Sequence, residues 1–219
     1  KAHLSVMRLR AQTALGMSSL ESPSGETAYV DGRTAGIRLI QAFAATAGCL
    51  GPSGSAEPQH ENESVAGALL RGLGCSAQDQ SLVDVMDAAL VLSADHELSA
   101  PTFVARICAS TGVDLYACVI AALMAHCGPM QVGGAADLED LLDVGKNLMT
   151  VLESSDVPCF GHPLYGAIDP RAEVLLEMTS RCASLPKTGR RLLDTIESLR
   201  SQSGRYPNLF GALVIMARA

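Results

Sequence analysis

Tryptophan is absent from this 219-residue chain, and aromatic residues make up only 4% of it. Hydrophobic residues still reach 48% and the mean hydropathy is +0.23, so small aliphatic side chains supply the material for a sizeable core. Such side chains let helices approach closely, which favours packed helices over an aromatic-rich sandwich. No apolar run reaches the roughly 18 residues that a membrane-spanning helix requires.

Basic charge is also scarce. The chain carries 16 Lys and Arg against 23 Asp and Glu, which gives a net charge of −7 and a pI of about 5.2. A nucleic-acid binder needs a basic stripe to neutralise phosphates. The short cluster from Lys187 to Arg191 is interpreted as a solvated helix start. We therefore expect no nucleic-acid partner and no membrane.

Sequence motifs for metal binding and for disulfide bonds are missing as well. The seven cysteines are odd in number and show no CxxC spacing, and the five histidines form no i, i+4 pair. This pattern predicts free thiols in the reducing cytoplasm and no metal site. The chain begins at Lys1 rather than Met, which leaves room for a preceding N-terminal segment.

Helical periodicity dominates what is present, and no segment alternates at period two long enough for a strand. The sequence therefore predicts an all-α fold. Residues 51–64, rich in Gly, Ser, Pro and Glu, are expected to form a mobile loop. The predicted helices cover Leu4–Leu15, Thr27–Ala47, Leu82–Ser93 and Leu115–Cys127, and others begin near Asp137, Asp169-Pro170, Leu192 and Pro207-Asn208.

The helix Leu115–Cys127 is apolar on nearly all sides, so we expect it to be central or to face a second subunit. Thr111 is its predicted N-cap, with Asp114 at the third helical position. In the helix that follows Asp169-Pro170, the predicted buried stripe consists of Val174, Leu175, Met178 and Cys182.

Two motifs admit a chemical and a plain interpretation. Residues 72–77 fit the dinucleotide fingerprint GxGxxA, but that fingerprint needs a strand–turn–helix context that this sequence does not offer. Cys159 precedes His162 by three residues, so a thiol nucleophile beside a base is conceivable. A packed cysteine is favoured, because neighbouring positions seldom provide that geometry.

Four segments, in order, carry a more specific pattern. Their residues are Asp95-His96-Glu97 before a Ser/Thr-rich helix, Gly128-Pro129 before a Gly-rich bend, Gly161-His162-Pro163-Leu164-Tyr165 through Asp169-Pro170-Arg171, and Pro207-Asn208 through Phe210-Gly211-Ala212-Leu213. Together they resemble the substrate-binding and catalytic motifs of the citrate synthase family.

The resemblance implies a helical homodimer in which a small domain closes over substrate. The large domain would comprise residues 1–130 and 206–219, and the small domain, on the acyl-CoA side, residues 131–205. Family members are acyltransferases that condense acetyl-CoA, or another acyl-CoA, with oxaloacetate. The resemblance implies these two ligands and no permanently bound cofactor.

By the same resemblance, His162 would polarise the ketone of oxaloacetate, while His96 and Arg171 would hold its carboxylates. The backbone of Val157, Pro158, Cys159, Phe160 and Gly161 would lie near the CoA adenine. A thioester methyl is a weak acid, so the family chemistry also needs a carboxylate base and a donor to the enolate oxygen.

Two positions depart from the family pattern. The histidine expected to contact the thioester carbonyl falls on Gln131, whose amide can donate but cannot become a cation. The carboxylate base falls on Leu209 or Phe210, depending on register, and the neighbouring Asn208 is no base either. A register shifted by one or two residues would instead let His126 or Asp137 supply a missing group.

Three hypotheses follow. The first is a citrate synthase-like protein with a degenerate, weakly active or inactive site. The second is an active acyltransferase or citryl-CoA lyase-type enzyme with an altered substrate. The third is a non-catalytic helical scaffold or regulatory subunit that pairs with an active paralogue.

Overall fold

A computed structural model describes residues 10–17, 31–95, 98–128, 134–143, 157, 159–166 and 168–219. Two isolated β-bridges occur within these ranges, and no strand does, so the predicted all-α fold is confirmed. No helix in the described residues is long and apolar enough to cross a membrane. The helices are α1 (10–17), α2 (Gly32–Ala45, followed by the 3-10 turn Thr46–Cys49), α3 (Val65–Gly72), α4 (Gln80–Ser93), α5 (Ala100–Ser110), α6 (Leu115–His126), α7 (Gly134–Asp143), α8 (Pro170–Arg181), α9 (Lys187–Ser203) and α10 (Leu209–Arg218).

The chain forms two compact units. The first contains Lys1–Gln78 and His96–Gly128, and the second contains Asp79–Asp95 and Pro129–Ala219. These units follow from packing alone. The predicted functional domains, 1–130 with 206–219 and 131–205, stay a prediction.

In the first unit, α1, α2 and α6 share a small core of Ala14, Ala35, Leu39 and Tyr116. Helix α6 begins after Asp114, whose carboxylate accepts the N–H of Ala117 at 2.9 Å. Thr111 instead ends α5 as its C-cap. The predicted Thr111 N-cap is therefore wrong, because Gly112 (φ +81°) separates the two helices and Asp114 is the side chain that reaches the free N–H groups.

Helix α6 is less buried than its composition predicts. It packs against α5, and its side chains Tyr116 and Cys118 are buried, whereas Met124 remains 46% exposed. Phe103 and Ile107 of the adjoining α5 are also half exposed. The α5–α6 pair thus leaves apolar side chains exposed, so the prediction that α6 is central is wrong within this chain.

Residues 51–64 are held in place by Arg71 of α3. Its guanidinium donates to Glu57 at 2.7 Å and to both carboxylate oxygens of Glu63 at 2.9 Å. The hydrogen bonds from Arg71 to Glu63 lower the pKa of Glu63 to about 2. The segment predicted as a mobile loop is therefore attached to helix α3. The sequence pattern does not reveal this attachment, because it does not show that Arg71 reaches both glutamates.

The glycines of the supposed dinucleotide fingerprint have a packing role. Gly72 is the last residue of α3, not the turn between a strand and a helix. A Cβ on the facing Gly51 would lie 1.8 Å from the carbonyl oxygen of Gly72, so backbone packs directly on backbone there. The fingerprint glycines are themselves closely packed, since a Cβ on Gly72 would lie 2.9 Å from the backbone nitrogen of Gly48 and one on Gly74 would lie 2.7 Å from the Pro52 ring. Packing therefore explains these glycines without a nucleotide.

The second unit has the larger core, built mainly by α4, α8, α9 and α10. Val85 and Ala89 of α4 are buried in it. In α8 the buried face is shifted from the prediction, since Ala172, Leu175, Leu176 and Thr179 are buried whereas Val174 is 44% exposed. The small Ala172 and the polar Thr179, which satisfies its hydroxyl on the Leu175 carbonyl, were not recognised as core residues.

Helix α7 starts earlier than the sequence indicates. It begins at Gly134 and not at the predicted Asp137, which is an exposed residue of its first turn. Leu138 is buried and joins the core of the second unit.

Candidate active site

His162 opens a five-residue hairpin. Its backbone N–H donates to the Gly166 carbonyl at 3.1 Å, and the Gly166 N–H donates back at 2.8 Å. Gly161 and Gly166, which flank the turn, have φ values of +77° and +69°, which glycine adopts without a steric penalty. The two glycines therefore allow the chain to present His162 at the edge of the unit.

This hairpin is joined to the N-terminus of α10. Gly161 donates its N–H to the Tyr206 carbonyl at 3.0 Å, and Asn208 donates its own to the Cys159 carbonyl at 2.8 Å. The Asn208 side chain donates to the Gly161 carbonyl at 3.2 Å and accepts the Gly211 N–H, so it caps α10 as well. The segment that should carry the catalytic base is thus fixed against the segment that carries His162.

Asp169 is a buried carboxylate that serves two helix N-termini. Its Oδ1 accepts the N–H of Arg171 in α8, and its Oδ2 accepts the N–H of Leu209 in α10, both at 3.0 Å. Burial opposes its ionisation, but the hydrogen bonds from the Arg171 side chain and from both backbone groups outweigh burial and hold the pKa of Asp169 below its usual value. The carboxylate is therefore ionised at neutral pH.

Arg171 is held from two sides and points at His162. Asp169 accepts from its Nε and Nη2 at 3.0 Å each, and the Asp95 carbonyl accepts from Nη1 at 2.7 Å. Its Nη2 lies 3.4 Å from Nε2 of His162. The structure thus brings together His162 and Arg171, two of the residues predicted to contact oxaloacetate.

The imidazole of His162 has a defined orientation. Its Nδ1 lies 3.2 Å from the N–H of Leu164, which can only donate, so Nδ1 is the acceptor. The neutral ring therefore carries its proton on Nε2, the atom that faces Arg171. The Nε2–H of His162 and the guanidinium of Arg171 are both hydrogen-bond donors, and such a pair suits an oxygen-rich, anionic ligand.

Cys159 is a packed, protonated thiol at neutral pH. It packs against the core of the second unit, and burial, with a smaller effect of Asp137, raises the pKa of its thiol to about 11. A thiolate is needed for attack, so a protonated thiol at neutral pH is inert. Its backbone has φ +63°, which is uncommon for a residue other than glycine and turns the chain toward the hairpin. The packed interpretation of Cys159 is supported.

The expected base position holds no proton acceptor in either register. Leu209 is 4% exposed and belongs to the core, whereas Phe210 is half-buried. Of the two, only Phe210 lies where a carboxylate would keep contact with solvent. A Cβ at the following Gly211 would lie 2.7 Å from the Cys159 carbonyl oxygen, so this part of α10 is tightly packed against the hairpin segment.

The remaining predicted residues are distributed as follows. His96, Gln131 and Pro158 lie outside the described residues. Val157 is buried in the core, and Phe160 pairs with Pro207 in a β-bridge. Of the alternative groups, His126 ends α6 in the first unit, and Asp137 lies close enough to Cys159 to affect its pKa. Across the described ranges, no three His, Cys, Asp or Glu side chains converge as metal ligands.

The structure adds contacts that sequence reasoning missed. The sequence gives Tyr165 no role beyond its place in the His162 motif, yet its ring lies against both His162 and Arg171. Asp169 was assigned only a helix start, yet it also binds the Arg171 guanidinium. An acidic residue two positions before an arginine was the available signal, but such pairs are common on helix N-termini for purely structural reasons.

Residues 2–212 match the protein family described as "Citrate synthase, C-terminal domain". Among curated relatives, the chain is 38% identical over 109 residues to a 2-methylcitrate synthase of Shewanella oneidensis, which is 46% of this chain and 29% of that protein. It is 32% identical over 143 residues to a citrate synthase of Saccharolobus solfataricus, which is 58% of this chain and 38% of that protein. The matched stretches thus span only about a third of these relatives.

Solved structures share the fold. A ternary complex of carboxymethyl coenzyme A and oxaloacetate with citrate synthase from Thermoplasma acidophilum is similar with a TM-score of 0.71 at 20% identity, over 97% of this chain and 61% of that one. A citryl-CoA lyase from Hydrogenobacter thermophilus is similar with a TM-score of 0.59 at 23% identity, over 72% and 66%. With the family match covering nearly its full length, this chain belongs to the citrate synthase family.

Proposed function

We propose that this protein binds oxaloacetate through His162 and Arg171 but condenses it with an acyl-CoA weakly or not at all. The observation that carries the proposal is the 3.4 Å approach of His162 Nε2 and Arg171 Nη2. The family resemblance adds His96 as a further ligand of oxaloacetate.

The two donors suit the two ends of a keto acid. A guanidinium binds a carboxylate through parallel hydrogen bonds, and a neutral imidazole with its proton on Nε2 can donate to a ketone oxygen. Because Asp169 and Asp95 fix Arg171, little side-chain entropy remains to be lost on binding. Asp169 also neutralises Arg171, so the net charge offered to the ligand is small.

The acyl-CoA half of the reaction has weaker support. The Thermoplasma acidophilum structure contains a CoA analogue together with oxaloacetate. By resemblance, the backbone of Val157, Pro158, Cys159, Phe160 and Gly161 would contact the adenine here. Condensation, however, requires removal of a methyl proton before the resulting enolate attacks the ketone carbon and the thioester is hydrolysed.

Neither Leu209 nor Phe210 can take that proton, and Gln131 can offer the enolate oxygen only a neutral amide. Removal of a general base commonly costs about 10²–10⁴-fold in rate. We therefore infer a degenerate synthase, one that retains the keto-acid site and has lost the proton acceptor.

Citryl-CoA cleavage is a second candidate, and the fold shared with the Hydrogenobacter thermophilus lyase favours considering it. That reaction uses the same keto-acid site in reverse and makes no demand for deprotonation of a methyl group. The citryl hydroxyl must instead lose a proton as its carbon–carbon bond breaks, and the acetyl-CoA enolate that leaves must take up a proton at its methyl carbon. Solvent would accept the first proton and supply the second, because the His162 ring carries its own proton on Nε2 and accepts the Leu164 N–H on Nδ1.

The test is to incubate the purified protein with acetyl-CoA and oxaloacetate and to quantify citrate and free CoA by mass spectrometry, with oxaloacetate binding measured by calorimetry. We expect binding with little or no citrate, and loss of binding in Arg171→Leu. Citrate formed well above the uncatalysed rate would contradict the degenerate site. No oxaloacetate binding would overturn the proposal, and cleavage of supplied citryl-CoA would favour the lyase.

A further inference from the structure

The ring of Tyr165 lies against both oxaloacetate-binding candidates. Its ring centroid lies 4.8 Å from that of His162, with the planes inclined by 35°, and 5.1 Å from Cζ of Arg171. One aromatic ring therefore contacts both donors, which themselves approach to 3.4 Å. The three side chains form a closed cluster.

Both donors also make hydrogen bonds with other groups of the second unit. Arg171 donates to Asp169 and to the Asp95 carbonyl. His162 lies in an exposed hairpin, and its ring accepts the Leu164 N–H at 3.2 Å. Rotation of the imidazole about its Cβ–Cγ bond would break the hydrogen bond from the Leu164 N–H and move Nε2 away from Arg171.

We propose that Tyr165 is a positioning residue, which holds the His162 ring with Nδ1 on the Leu164 N–H and Nε2 toward Arg171. The hairpin places it there, since His162 and Gly166 exchange backbone hydrogen bonds and Tyr165 is thereby folded back over His162. Contact with the guanidinium adds a cation–π attraction, which keeps the ring from swinging into solvent.

The phenol oxygen has no part in this role. Both contacts are made by the aromatic ring, so Tyr165→Phe keeps the cluster, whereas Tyr165→Leu keeps an apolar side chain but loses the π face. Leu164→Ala is a matched control in the same hairpin, because Leu164 is 70% exposed and its backbone N–H survives the substitution.

Amide exchange of Leu164, measured by NMR in the ligand-free protein, tests the position of His162 without any assumption about function. We expect exchange about two- to fivefold faster in Tyr165→Leu, the range that an exposed cation–π contact supports, and unchanged exchange in Tyr165→Phe. Equal exchange in Tyr165→Leu and the wild type would overturn the inference. So would global unfolding of Tyr165→Leu, because it would assign Tyr165 to stability.

A second measurement, oxaloacetate affinity by calorimetry, rests on the proposed function. We expect about two- to fivefold weaker binding in Tyr165→Leu and wild-type affinity in both Tyr165→Phe and Leu164→Ala. Wild-type affinity in Tyr165→Leu would overturn the positioning role and leave the proposed function intact. If the wild type binds no oxaloacetate, the proposed function fails, and the amide exchange still decides the position of His162.

Discussion

The backbone N–H of Leu209 donates to Oδ2 of Asp169 over 3.0 Å, which connects the first residue of α10 to the carboxylate that holds Arg171. The predicted base segment and the predicted oxaloacetate-binding arginine therefore share one buried group. Changes at Asp169 will affect both.

Asp169→Asn removes the charge and leaves the guanidinium of Arg171, only 13% exposed, without its ionic partner. We expect a loss of about 3 kcal/mol in the free energy of unfolding, at the low end for a broken buried pair. Urea denaturation measures it. Asp194→Asn, on the exposed side of α9, is the control and should change stability by less than about 0.5 kcal/mol. Equal stability of both variants would show that Asp169 is structurally dispensable.

The lowered pKa of Asp169 also predicts acid sensitivity. A carboxyl group whose pKa is lower in the folded than in the unfolded protein contributes stability above the unfolded value, near 3.8, and that contribution is lost as pH falls through the folded pKa. We expect stability to decline below about pH 4, and Asp169→Asn to flatten that decline. Thermal melting from pH 2 to pH 7 checks this, and parallel curves for the two proteins would contradict it.

Gln131→His combined with Phe210→Asp should restore citrate formation, because the two changes return an enolate donor and a base. The expected gain is about 10²-fold or more over the wild type, the lower range for a general base. Steady-state assays by mass spectrometry measure it.

Gln131→His with Leu209→Asp is the matched control for register. Leu209 is 4% exposed in the core, so a carboxylate there is buried without a partner, and we expect an unstable protein with no gain in activity. Activity from the Leu209→Asp pair and none from the Phe210→Asp pair would show that the register we favour is wrong.

Cys159 should react slowly with alkylating reagents. With a pKa of about 11 and a half-buried side chain, its thiolate is scarce at pH 8, whereas Cys75 is exposed. Time-resolved alkylation followed by peptide mass spectrometry should label Cys75 at least about tenfold faster. Labelling of Cys159 at the rate of Cys75 would reopen the nucleophile hypothesis.

Dimerisation is predicted from the exposed apolar side chains of α5 and α6. We expect a dimer at micromolar concentration in sedimentation velocity, and a shift toward monomer in Ile107→Glu. Val174→Glu, which alters a similarly exposed apolar residue on α8, should leave the assembly unchanged. A monomeric wild type would count against the homodimer.

Much of the helical framework was predictable, because caps and apolar periodicity are local. Asp169, Pro170 and Asn208 were assigned correctly at helix starts for this reason. The Thr111 cap failed because two polar residues competed within one short turn. In α8, Leu175, Met178 and Cys182 belong to the core as predicted, whereas Val174 is exposed and an alanine and a satisfied threonine are buried instead. Local patterns do not reveal such choices.

The site was predictable only through resemblance to known motifs. His162 and Arg171 share no local pattern, and their 3.4 Å approach depends on a hairpin and a helix start that the core brings together. Tyr165 could not be assigned at all, since its partners are defined by how the hairpin folds back.

The carboxylate of Asp169 accepts N–H groups from the first turns of both α8 and α10. If either helix start unfolded locally, the buried carboxylate of Asp169 would lose a hydrogen-bond donor. Local opening of one start alone therefore carries a large free-energy cost. We expect the amides at the two starts to share one opening equilibrium in native-state hydrogen exchange. The oxaloacetate-binding candidates would then be assembled or lost as a single cooperative block.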